Sequence, residues 1–208
     1  KLALEISLER GDLRDVAQRR SNVAHGYNEL GAYELAEKEL LEAEAAAERL
    51  GIAHVAALVR LNLGWTSYRR GEIAKARRLI DGSVAEFARM GNSRLEVGAL
   101  GYLAHVLLRA GEPAAADAAM TRALVLEAPA GEHLFVHATR ALARVALGRI
   151  DEALTDARRA AQMLAEQGAV HEGGVQVRVA CAETLHAAGQ IDEALQALAV
   201  ARESVESE

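Results

Sequence analysis

Glycine returns along this chain at almost even intervals, and no other feature limits its fold so tightly. Gly11, Gly31, Gly51, Gly71, Gly91, Gly111 and Gly131 are separated by steps of 20 residues, and Gly148, Gly168 and Gly189 follow after 17, 20 and 21. A glycine just past a helix end takes the left-handed conformation cheaply, so it stops one helix and lets the chain turn back into the next. Helix-start signals follow several of these stops: Asp12, Glu72, Asp151 and Asp192, with Pro113 in a first turn. The stretches between are rich in Ala, Leu, Arg and Glu, while aromatic residues make up 3% of the chain and proline occurs twice. That mixture favours helix over strand. The chain therefore reads as all-α, with about eleven helices joined by tight turns.

Alternate glycines are not equivalent. A small residue lies five positions after every second one, at Ala36, Ala76, Ala116, Ala153 and Ala194. The repeating unit is thus a helix pair of about 40 residues, which points to a stacked solenoid. Gly148-Arg-Ile-Asp-Glu-Ala-Leu154 also matches Gly189-Gln-Ile-Asp-Glu-Ala-Leu195 at all but one position, a likeness that helical composition alone does not explain. Small residues let two helices cross closely and bulky ones fill the grooves between them. The first repeat carries this pattern at Val23, Ala24, Tyr27, Tyr33, Leu40 and Ala43, and the second at Leu63, Gly64, Ile80 and Ser83. The third has Leu103, Ala104, Leu107, Met120 and Ala123, and the fifth has Cys181, Ala182, Leu185, Leu198 and Ala201.

On these residues the chain resembles the tetratricopeptide repeat in its longer form. The resemblance implies a right-handed superhelical solenoid of antiparallel helix pairs, forming one domain over 1–208. Residues 1–11 read as the second helix of a truncated repeat, followed by repeats at 12–51, 52–91, 92–131, 132–168 and 169–208. On that reading the chain is a piece of a longer protein. The fourth repeat departs from the pattern, because Arg140 and Arg144 fall where apolar residues are expected. Burying two unpaired arginines would cost several kcal/mol. A one-residue deletion before Gly148 would instead turn Ala141, Leu142 and Val145 inward, and that register is preferred.

Net charge is −6, from 24 basic and 30 acidic residues. No dense Lys/Arg cluster appears, so a nucleic-acid partner is not expected. No apolar run is long enough to cross a membrane, and Glu5 and Glu9 interrupt any signal-peptide core. The one cysteine, Cys181, excludes an internal disulfide, fits a reducing cytoplasm and reads as a small buried apolar residue. Catalytic motifs are lacking. Gly173-Gly174 has no Lys-Ser/Thr to hold a phosphate, and there is neither a Gly-x-Ser-x-Gly elbow nor a His-Glu-x-x-His pair. His133 and His137 share a helix face, but a zinc site needs more ligands than these. Pairs such as Glu37 and Glu42 read as solvated faces. No enzyme activity, metal or cofactor is expected.

In the family resembled, the first helix of each pair lines a concave groove. Carried over by position, that ladder holds Asn22, His25, Asn28 and Glu29, then Asn62, Trp65, Tyr68 and Arg69. Tyr102, His105 and Arg109 follow, with Glu183 and His186 in the last repeat. Asn22 and Asn62 occupy one place in consecutive repeats. Their amides match a peptide backbone in donors and acceptors, or they face solvent and neighbouring turns. Trp65 either anchors a ligand together with Tyr68 and Tyr102 or packs between repeats. The clamp by which some relatives grip a C-terminal carboxylate is absent. Its places hold Ser21, His25, Asn62, Gly98 and Tyr102, and only Asn62 fits.

The resemblance implies a scaffold that binds a protein or peptide in this groove. The alternative is a ligand-sensing regulatory domain of a larger bacterial transcription regulator or signalling ATPase or kinase. The low lysine and high alanine and arginine content accords with a bacterial source. Self-association through an exposed terminal repeat is a further expectation.

Overall fold

The computed structural model describes residues 13–167 and 174–206. The helix expected over 1–11, the stops Gly11 and Gly168, Asp12 and Gly173 lie outside them. The described residues form ten α-helices and no strand. These are α1 (Leu13–Glu29), α2 (Tyr33–Arg49), α3 (Ala53–Arg69), α4 (Ile73–Arg89) and α5 (Ser93–Arg109), then α6 (Pro113–Leu124), α7 (Ala130–Ala146), α8 (Ile150–Gln167), α9 (Gly174–Ala187) and α10 (Ile191–Glu206). The chain divides into two compact units, Lys1–Tyr102 and Leu103–Glu208, with the boundary inside α5. No described helix is long and apolar enough to cross a membrane.

One turn geometry recurs. The Gly31 N–H donates to the Asn28 carbonyl at 3.1 Å, and the Ala32 N–H reaches back to Tyr27 at 2.8 Å. Gly71 with Glu72, Gly148 with Arg149 and Gly189 with Gln190 repeat both bonds. They satisfy carbonyls that a helix end leaves orphaned. The backbone φ is +83° at Gly71 and +73° at Gly148, values that any side chain with a Cβ adopts only with strain. Helix starts rely less on side chains than the sequence suggests. Glu72 stands at the N-cap of α4 without a capping bond and pairs instead with Arg70 and Lys75. Pro113 opens α6 as expected.

Gly131 is an exception to the glycine rule. It lies inside the first turn of α7, not at a helix stop. The irregular step begins earlier: α6 has 12 residues where α1 to α5 have 17 each. Pro129 then takes the N-cap of α7 with ψ at 147°, an extended conformation that a helix cannot run through.

Within unit 1, the small residues sit where helices meet. Ala36 and Ala76 are fully buried, and so are Leu40 and Ile80, four positions on. Ala24, Leu40, Ala43, Ala47, Val55, Val59 and Leu63 form one apolar cluster drawn from α1, α2 and α3, with Tyr27 and Ile52 packed on its edge. Burying a leucine of this kind contributes roughly 1.5–3 kcal/mol. The helices approach closely at Gly64 on α3, where an added Cβ would lie 2.5 Å from Ile80 Cγ1 on α4. Unit 2 repeats the logic. Ala116, Met120 and Ala153 are fully buried, and Leu134, Ala141, Ala160, Met163, Val177 and Cys181 join α7, α8 and α9 in a second cluster.

The fourth repeat corrects the expected register. The Arg149 N–H bonds the Arg144 carbonyl just as Glu112 bonds Leu107 and Glu72 bonds Ser67. Arg144 therefore holds the place of Leu107, and Arg140, four residues earlier, that of Leu103. No residue is deleted before Gly148. Ala141 is buried, while Leu142 and Val145 are only partly covered. The two arginine side chains are themselves 13% exposed.

Asp156 on α8, 3% exposed, makes this possible. Its carboxylate accepts from Arg140 Nε and Nη2, from Arg144 Nη1 and from His137 Nδ1, each at 2.8 Å. Asp117 on α6 accepts from Arg144 at 3.1 Å and Arg149 at 2.6 Å. The arginines are buried but not unpaired, which removes the penalty on which the expected register rested. Burial alone would raise the Asp156 carboxyl. The bonds from His137 and Arg140 and the charges of Arg140 and Arg144 outweigh it and hold the pKa below the ordinary carboxylate value.

Candidate binding surfaces

In unit 1 the first helices of the pairs, α1 and α3, carry most of the sequence-predicted ladder, and Tyr102 belongs to the same unit on α5. Asn22 and His25 are exposed on α1. Asn28 is not at the surface: it is 3% exposed, and its amide donates to Thr66 Oγ1 on α3 at 3.0 Å. Asn62 is half-buried and donates to Ser21 Oγ at 2.7 Å. These two asparagines therefore bridge α1 and α3 from both sides. The side-chain oxygen of Asn28, Oδ1, is buried and finds no hydrogen-bond partner among the described residues.

Trp65 lies in an aromatic row. Its ring stacks on Tyr68 with centroids 4.8 Å apart and on Tyr102 at 4.6 Å, with interplanar angles of 19° and 17°. All three are half-buried, so ring surface remains at solvent. Tyr68 follows Trp65 by one helical turn on α3, which places both rings on one face. Next along that face, the Arg69 guanidinium stands over the Tyr33 ring at 5.8 Å and reaches Glu29 at 4.0 Å. The row combines apolar area, tyrosine hydroxyls and one cation, chemistry suited to gripping an extended segment.

Unit 2 has a separate cleft of about 270 Å³. It is formed by the unit-2 part of α5 together with α7 and α9. Phe135, Leu142, Val175 and Val179 supply its apolar lining, and His105, Thr139, Gln176 and Glu183 its polar groups. Thus His105 and Glu183 of the sequence ladder come together, whereas Arg109 and His186 are exposed and do not line the cleft. Burial pushes the His105 pKa down and favours the neutral ring.

Phe135, Thr139 and Leu142 are missing from the sequence-derived ladder, which omits the fourth repeat. The signal is present in the chain. Counted from the turn glycines, Leu142 shares the register position of His25, Trp65, His105 and Glu183, and Thr139 that of Asn22, Asn62 and Tyr102. The other chemistry-bearing candidates are engaged within the protein. His133 Nε2 lies 3.2 Å from the Leu126 carbonyl and His137 is bound to Asp156. Cys181 donates to the Ala157 carbonyl at 3.3 Å, and burial pushes its thiol up to about 11.

No protein-family model matches the sequence, and neither does any curated protein. Solved structures do match. The kinesin light chain TPR-like repeats of Podosopora anserina share 18% identity at a TM-score of 0.66, over 91% of this chain and 95% of that one. BtubC (BKLC) of P. vanneervenii shares 17% identity at a TM-score of 0.74, over 99% and 87%. A Rap protein complexed with Competence and Sporulation Factor shares 18% identity at 0.72; 99% of this chain matches 57% of that one. At such identities the likeness is one of fold.

Proposed function

Taking as premise that the chain has the fold of the tetratricopeptide-like repeats, an all-α helical repeat solenoid, we propose that it is a scaffold that binds a protein or peptide segment. We propose that each unit presents its own binding face on the first helices of its pairs. In unit 1 that face comprises Asn22, His25, Asn62, Trp65, Tyr68, Arg69 and Tyr102; in unit 2 it includes His105 and Arg109. The observation that carries this reading is the half-exposed row Tyr68–Trp65–Tyr102. Aromatic rings at a surface offer large, rigid contact area for little loss of side-chain freedom, and such residues dominate binding energies. The Rap neighbour, seen with its factor, accords with a binding role for the fold.

The test uses the single tryptophan as reporter. A phage-displayed library of random peptides is selected on the folded chain, and the enriched peptides are synthesised and titrated while Trp65 emission is followed. The expected result is a saturable shift in emission, with binding to Asn62→Ala/Trp65→Ala weakened at least about 10-fold by anisotropy. Peptides that bind the double variant as well as the parent would overturn the proposed site.

A further inference from the structure

The cleft of unit 2 has a chemistry unlike the aromatic row, and its interpretation rests on the binding role proposed above. Phe135, Leu142 and Val179 give it an apolar lining. Among the described residues that line it, Glu183 alone carries a formal charge. Glu183 is exposed, and among the described residues it has no ion-pair partner. His105 shares its register position but is held neutral by burial. Among the described lining residues an anionic group would meet no cation, whereas a cation would meet a carboxylate beside apolar surface. The volume, about 270 Å³, lies below the range of roughly 300–1,000 Å³ typical of whole small-molecule ligands and suits one anchoring side chain.

We propose that this cleft receives a basic–hydrophobic peptide segment: an apolar side chain enters against Phe135, Leu142 and Val179, and a neighbouring Lys or Arg pairs with Glu183. The apolar anchor supplies affinity through desolvation, and Glu183 supplies selection by charge. Thr139, 6% exposed, adds a hydroxyl to the lining. The same recognition chemistry would reject a segment with Asp or Glu beside its anchor, because two carboxylates would then face each other.

The probe is the phage-displayed random peptide library, selected on the full chain and in parallel on Glu183→Lys, with helicity of both checked by circular dichroism. The substituted residue is exposed, so the fold is expected to survive. The expected result is a consensus pairing an aliphatic or aromatic residue with Lys or Arg. Synthetic versions should bind Glu183→Lys about 10-fold more weakly, and selection on that variant should enrich Asp or Glu in the basic place. A consensus without Lys or Arg, or one whose binding ignores Glu183→Lys, overturns the inference. If binding depends on Trp65 and not on Glu183, this inference falls while the aromatic face stands. If it depends on Glu183 and not on Trp65, the cleft stands and the aromatic face falls. No enrichment on either protein overturns both.

Discussion

Asp156 makes the fourth repeat foldable, and removing it gives a quantitative test. In Asp156→Ala the side chains of Arg140 and Arg144, each 13% exposed, lose the carboxylate that holds them at 2.8 Å. Deleting one partner of a buried pair costs roughly 3–5 kcal/mol, because the other charge stays behind in a poorly solvated place. Arg144 keeps Asp117 at 3.1 Å, and both arginines retain some water, so the lower end applies. The expected loss is ~3 kcal/mol, or roughly 6–12 °C in midpoint for a chain of this size. Urea titration followed by circular dichroism measures it.

The pH dependence has a definite sign. The folded carboxyl is held below its ordinary value, so its contribution is complete above the unfolded value near ~4. It is lost as pH falls through the lower, folded value. The gap between parent and variant should therefore be constant from pH 7 to about 5 and close on further acidification. Arg140→Leu/Arg144→Leu/Asp156→Ala restores the side chains that repeat three carries at these places, Leu103, Leu107 and Ala119. It should recover most of the loss, since apolar packing replaces a buried ion cluster at little cost. A single-variant loss below about 1 kcal/mol, or a gap unchanged down to pH 2, would refute the reasoning.

Three further outcomes are expected. Gly64→Ala gains about 1 kcal/mol of helix preference but forces a Cβ to 2.5 Å from Ile80 Cγ1, inside a fully buried contact. Overpacking of this kind costs roughly 1–3 kcal/mol, so a net loss should appear in urea unfolding; a variant as stable as the parent would contradict the close approach. Cys181, with its thiol pushed up to about 11, should react with a disulfide reagent at pH 8 about two orders of magnitude more slowly than a free thiol. Rapid labelling without denaturant would show that the site is open. His105 is held neutral in the folded state, so the unfolded chain gains its proton first as pH falls below ~6.5 and stability drops. His105→Phe should lessen that drop between pH 6.5 and 5, as read by thermal melts, and an identical profile would exclude His105 as its source.

The fold was legible in the sequence because its determinants are local. A glycine past a helix end, an alanine at a crossing and a helix-favouring composition act within one or two turns of chain. Ala36, Ala76, Ala116, Ala153 and Ala194 are accordingly all buried. The signal failed where one residue type served two purposes. Gly131 fits the spacing of a helix stop yet lies within a helix, because the shortened α6 and Pro129 had already reset the register.

The sequence by itself determined that the chain builds paired helices, where most turns fall and which alanines face inward. Tertiary structure alone decided which polar side chains are tied up and which remain available. Asn28 and Asn62 look alike as ladder positions, but Thr66 and Ser21, dozens of residues away in sequence, turn them into bridges between helices. Arg140 and Arg144 look too costly to bury until Asp156, on the next helix, is placed against them. Whether a polar group is stable inside a protein depends on partners brought together by packing, and no local pattern in the chain records them.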